Sequence, residues 1–111
     1  MVERFSGKML KIFLDESQEH HKESMYNFII DKIKEYDIKG GTVIRGIEGI
    51  GQEHKITSEF IEVLSRKLPI VIEIIDEKEK IDKFTEYIIN VVPECTIAVI
   101  DNIDIIKCNK K

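Results

Sequence analysis

Gly40-Gly41-Thr42-Val43-Ile44-Arg45-Gly46-Ile47-Glu48-Gly49-Ile50-Gly51 is the stretch on which the fold turns. Thr42 to Ile47 is rich in β-branched residues and reads as a strand, and it runs into a segment with glycine at 46, 49 and 51. Ahead of it, Met25, Tyr26, Ile29, Ile30 and Ile33 recur at helical spacing and predict an amphipathic helix over Glu23–Tyr36. Gly40-Gly41 is expected to stop that helix, because glycine takes the left-handed conformation that helix ends favour. Further upstream, Lys8–Leu14 is an apolar stretch too short for a helix and is read as the first strand, followed by a polar loop from Asp15 to Lys22.

Downstream, Gln52–Thr57 is polar and is read as loop. Ser58–Leu68 fits two patterns: Phe60, Ile61, Leu64 and Leu68 suit a helix, while Ile61 and Val63 flanking Glu62 suit a strand. Pro69 ends either one, and Ile70–Ile75 is a strand. Asp76 and Glu79 have the spacing of a helix N-cap and its acidic partner. Ile81, Phe84, Ile88 and Val92 form a second helical stripe closed by Pro93. Thr96–Ile100 and Ile103–Ile106 predict one or two strands with a bend at Asp101-Asn102. The order β-α-β-(β)-β-α-β is that of an α+β, ferredoxin-like split βαβ sandwich: an antiparallel four-stranded sheet with two helices on one face. A chain of 111 residues forms one such domain over 1–111, with its core at about 8–106.

Two helices cover only one face of such a sheet, yet adjacent strand residues are both apolar at Val43-Ile44, Val71-Ile72, Ile74-Ile75 and Ile105-Ile106. Isoleucine is roughly one residue in five, as in sheets buried on both sides. A second copy is the economical cover for so short a chain, which predicts a homo-oligomer.

Composition narrows the function. The chain is 42% hydrophobic and 34% charged, which excludes a disordered tail or a disulfide-stapled miniprotein. A net charge of −4 does not provide the cationic surface of a general nucleic-acid binder, so no nucleic-acid partner is expected. The opening residues carry no secretory h-region, and no apolar run approaches a membrane span, so membrane insertion is not expected. Cys95 and Cys108 form no CxxC pair and read as reduced thiols, which places the chain in the cytoplasm.

Three groups of residues carry candidate chemistry. Gly46-x-x-Gly49-x-Gly51 follows a strand, and glycines let backbone N–H groups approach a phosphate; the alternative is a connector whose glycines only permit turns. It matches neither the dinucleotide fingerprint nor the P-loop. Arg45, one of only three arginines, offers a fork for phosphate or carboxylate, or else an ion pair with Glu48 or another acid. His20, His21 and His54 with Asp15, Glu16 or Glu53 match no established metal spacing, so no metal site is assigned. No set of residues combines nucleophile, base and oxyanion donors, so no enzyme is expected.

Gly40–Gly51, Leu68-Pro69-Ile70-Val71-Ile72-Glu73-Ile74-Ile75-Asp76, the opening Lys11–Ser17 and Tyr26 together resemble the PII-like family of bacteria and archaea called domain of unknown function 190. More distantly the chain is similar to the PII nitrogen-regulatory proteins, which are trimers of ferredoxin-like subunits. The resemblance implies a homotrimer with adenine nucleotide (AMP, ADP or ATP) bound in clefts between subunits, and the Gly49–Gln52 backbone near the ligand. No further cofactor is required. It departs from PII at Val91-Val92-Pro93-Glu94-Cys95-Thr96, which has neither the glycine nor the lysine of the second phosphate loop, and only Lys107 stands for the basic residues after the last strand. No tyrosine lies between Gln52 and Ser58. On this reading Arg45 pairs with phosphate, Gly49 and Gly51 present backbone N–H groups, Gly46 and Glu48 lie beside them, and Gln52 bonds base or ribose. The segment to about Thr57 then orders and a partner protein or transporter reads the change. A ligand-independent interaction module and a metal-binding protein are the alternatives.

Overall fold

The computed structural model describes residues 1–50, 56–58 and 68–110. Strand β1 spans Val2–Asp15. Two short strands, β2 (Glu19–His20) and β3 (Glu23–Ser24), make a hairpin whose turn residues His21 and Lys22 both have positive φ, at 48° and 70°. A hairpin therefore occupies part of the region expected as loop. Helix α1 is Met25–Glu35, with Met25, Ile29 and Ile33 buried and Lys32 and Lys34 in the last turn, where cations suit the helix dipole.

The helix ends differently from expectation. Asp37, not glycine, takes the left-handed position at φ 56°, and none of the described glycines has positive φ. Aspartate tolerates this conformation because its short polar side chain bonds locally. Gly40 and Gly41 instead open strand β4, Gly40–Arg45. A Cβ at Gly40 would lie 3.0 Å from Cγ1 of Ile75, and one at Gly41 3.2 Å from Cγ2 of Ile74, so the glycines serve close packing between strands.

Strand β5 (Glu48–Ile50) pairs antiparallel with β6 (Ile56–Ser58), with Ile50 opposite Ile56. Ile56 and Thr57 are thus strand, where the polar composition nearby predicted loop. The helix-or-strand alternative at 59–67 lies outside the described residues. Strand β7 runs Pro69–Glu77 and helix α2 Lys78–Val91, with Ile81, Phe84 and Ile88 fully buried. Asp76 is not the cap of this helix: it is the eighth residue of β7 and is 5% exposed. Its carboxylate accepts the Lys39 N–H at 3.0 Å and the Glu77 N–H at 2.7 Å, which satisfies the buried charge. Strand β8, Thr96–Cys108, is continuous, and the expected bend at Asp101-Asn102 is a bulge within it.

The main sheet has the order β4-β7-β1-β8, every pair antiparallel, so the ferredoxin-like expectation holds. Leu10, Ile12 and Leu14 of β1 and Ile70, Ile72 and Ile74 of β7 point to one side and pack with the buried stripes of α1 and α2. Burying each such side chain contributes roughly 1.5–3 kcal/mol. On the other side the register lines up Ile44, Val71 and Phe13, then Gly40, Ile75, Met9 and Ile100, a face that neither of the two described helices covers. Phe13, Ile44 and Ile100 remain 40–44% exposed there. Between those rows Lys11 pairs with Glu73 at 3.3 Å.

Candidate functional site

Three strand ends converge where β1 and β4 finish and β7 begins. Asp15 lies opposite Pro69 and Arg45 opposite Ile70. Past the ladder, the Glu16 N–H bonds the Leu68 carbonyl and the Gly46 N–H bonds the Pro69 carbonyl, both at 2.8 Å. Gly46 is glycine for a packing reason, since a Cβ there would lie 2.9 Å from Cγ of Pro69. The root of the glycine-rich segment is thereby stitched to the start of β7.

Arg45 reaches back across this junction. Its Nη2 meets Oε2 of Glu16, whose side chain is only 10% exposed, while that of Arg45 is 59% exposed. Among the described side chains its carboxylate partner is Glu16, because the β1–β7–β4 register brings the ends of β1 and β4 to the same level. A guanidinium carries five N–H donors, so this pairing leaves an exposed edge that can bond an anion.

The turn after β1 is fixed from several sides. Oδ1 of Asp15 accepts the Ser17 N–H at 2.8 Å, and the Asp15 N–H bonds Oε1 of Gln18 at 2.9 Å. Gln18 accepts the Met25 N–H at the start of α1, and its Nε2 donates to the Glu94 carbonyl at 2.7 Å. Gln18 therefore ties the strand end to the α2–β8 connection. Nothing in local sequence marks Glu16 for Arg45 or Gln18 for Glu94, because these partners lie far along the chain. Cys95, in that connection, is half-buried, and burial pushes its thiol up, which keeps it protonated and a poor nucleophile.

Of the sequence-predicted residues, Arg45 and Gly46 meet at this sheet end, and Glu48 and Gly49 follow in β5. Gly51 and Gln52 lie outside the described residues, as do Glu53 and His54. His20 stacks on Phe28 with ring centroids 3.9 Å apart and meets His21 edge-on at 4.3 Å. Among the described residues, no three His, Cys, Asp or Glu side chains come together as a metal would require. No helix among them is long and apolar enough to cross a membrane.

The fold is that of CPII, a nitrogen regulatory PII-like protein from Thiomonas intermedia K12. Its apo form superposes with a TM-score of 0.64 at 17% identity, covering 97% of this chain and 100% of that one. A form bound to ADP, AMP and bicarbonate gives 0.63 at 16% identity, covering 93% and 98%. In sequence, a UPF0166 protein of Aquifex aeolicus (strain VF5) is 38% identical over 73% of this chain and 77% of that protein. The UPF0166 protein MJ1524 of Methanocaldococcus jannaschii is 34% identical over 91% of this chain and 93% of its own length. The profile of DUF190, described as Uncharacterized ACR, COG1993, matches residues 7–105, and with these relatives it makes the chain a member of that family.

Proposed function

We propose that this chain is a non-catalytic, PII-like regulatory protein of the cytoplasm that binds a small anionic metabolite, with an adenine nucleotide (AMP, ADP or ATP) as the best candidate. The ligand sits in clefts between the subunits of a homotrimer, against Arg45, Gly46, Glu48, Gly49, Gly51 and Gln52. Ligand binding orders the segment after Gly49, and a partner protein or transporter responds to the ordered form.

The observation that carries this reading is the exposed edge of the Arg45 guanidinium at the root of the glycine-rich segment. Ligation there would act directly on the root of that segment, since the Gly46 N–H is bonded to the Pro69 carbonyl at the same junction. CPII, which shares the fold, binds ADP and AMP, and this supports the choice of nucleotide. The uncovered apolar sheet face supports self-association, which is what creates clefts between subunits.

Calorimetry with AMP, ADP and ATP tests the reading. Binding by at least one nucleotide is expected, weakened about 10–100-fold in Arg45→Ala, as loss of a charge-assisted hydrogen bond predicts. Absence of heat with all three at about millimolar ligand overturns it. A second reading, a docking module that needs no metabolite, is favoured by Ile47 and Ile50, which are 67% and 73% exposed beside the same junction. Partner capture that is indifferent to nucleotide would select it.

A further inference from the structure

We propose that Glu16 is the charge selector of the Arg45 site, restricting it to anions of low charge and disfavouring polyphosphates; this rests on Arg45 being where the ligand's anionic group lands. The two partners differ sharply in exposure: the Glu16 side chain is 10% exposed and that of Arg45 59%. Glu16 is also anchored by its own N–H on the Leu68 carbonyl at 2.8 Å. A carboxylate that is nearly buried is costly to leave without its cation, so an arriving anion does not strip Arg45 away. The ligand meets the guanidinium's remaining N–H groups while Glu16 keeps hold of Nη2.

The incoming anion therefore meets two opposed fields. Arg45 attracts it and Glu16, one guanidinium away, repels it. Asp15 adds a second carboxylate at the same sheet end, with its Oδ1 engaged by the Ser17 N–H. The balance of these charges is not positive, and the whole chain carries −4. Hydrogen bonding to the guanidinium is gained once, while the net Coulomb interaction of one guanidinium and two carboxylates with the ligand turns less favourable with every negative charge the ligand adds. A singly charged group gains from the site, and each added phosphoryl group gains less.

Titration of inorganic phosphate, pyrophosphate and tripolyphosphate at fixed ionic strength, with wild type, Glu16→Gln and Glu16→Asp, tests this. Glutamine keeps one oxygen acceptor for Arg45 and removes the charge at nearly the same volume. The expected result is a wild-type affinity that does not rise along the series. In E16Q it should increase about tenfold for phosphate and on the order of a hundredfold for tripolyphosphate. E16D, which keeps the charge, should retain the wild-type order. Weaker binding of every ligand by E16Q, an equal change for all three, or a tripolyphosphate preference in wild type or in E16D overturns the role of Glu16 while leaving the nucleotide site standing. Silence from wild type and E16Q toward all three anions, together with AMP, would remove the site itself.

Discussion

Gly7 sits where β1 is pressed between β7 and β8, opposite Glu77 on one side and Ile103 on the other. A Cβ there would collide with the Asp76 carbonyl oxygen and reach within 2.5 Å of Cδ1 of Ile105. One of those neighbours is backbone and cannot rotate away. Gly7→Ala is therefore expected to destabilise the fold by about 1–3 kcal/mol, read as a lower urea midpoint. A midpoint equal to that of wild type would show that the strands can separate at little cost. The next residue faces a bulge: Gly7 pairs with Ile103 and Met9 with Ile100, so Asp101 and Asn102 together oppose Lys8. Asn102 takes φ 53°, and its N–H bonds Oδ1 of Asp101 at 2.8 Å.

At the scale of elements, β1 and β8 continue together beyond the rest of the sheet. Their pairing extends to Val2 opposite Cys108, whereas β7 pairs with β1 only from Gly7 onward. A two-stranded ribbon has little stability alone, so cross-strand pairs matter there. Arg4 and Asp104 form one, with Nε to Oδ1 at 3.1 Å and Nη2 to Oδ2 at 2.6 Å. The hydrogen bonds from Arg4 hold the Asp104 carboxyl below the ordinary carboxylate range. A depressed carboxyl contributes stability above its unfolded pKa, and the contribution disappears as pH falls through the folded value. Asp104→Asn should thus be slightly less stable than wild type at pH 6, and the two should converge in acid, as pH falls through the lowered folded-state value. Denaturant melts across that range would show it; a difference that persists undiminished in acid would mean the pair is not its source.

For the whole molecule, the decisive asymmetry is between the two faces of the sheet. One face is sealed by α1 and α2 through Leu10, Ile12, Ile72, Ile74, Ile81, Phe84 and Ile88. The other carries Phe13, Ile44, Val71, Ile75, Met9 and Ile100 in adjoining rows, with the Lys11–Glu73 pair between them. If this face is the subunit interface, the double substitution Phe13→Asp with Ile44→Asp inserts charge at two exposed positions that the monomer tolerates. Sedimentation should then change from a trimer to a monomer, with circular dichroism unaltered. A wild type that sediments as a monomer at about micromolar concentration would remove the oligomer from the proposal.

The sequence alone shows the order of the four main-sheet strands and the two described helices, the two helical stripes, the doubly apolar strands and the position of Arg45 before a run of glycines, though not the short strands β2, β3 and β6. These are local periodicities, and they are set by whichever face of an element must be hidden from water. It misplaced what depends on neighbours distant in the chain. Gly40-Gly41 looked like a helix stop and proved to be a close approach to Ile74 and Ile75, while Asp76 looked like a cap and became a buried acceptor for Lys39. Local sequence offers Arg45 several acids as partners. Only the tertiary structure chose Glu16, because strand register decides which ends lie side by side, and register is fixed by the whole sheet packing against its helices.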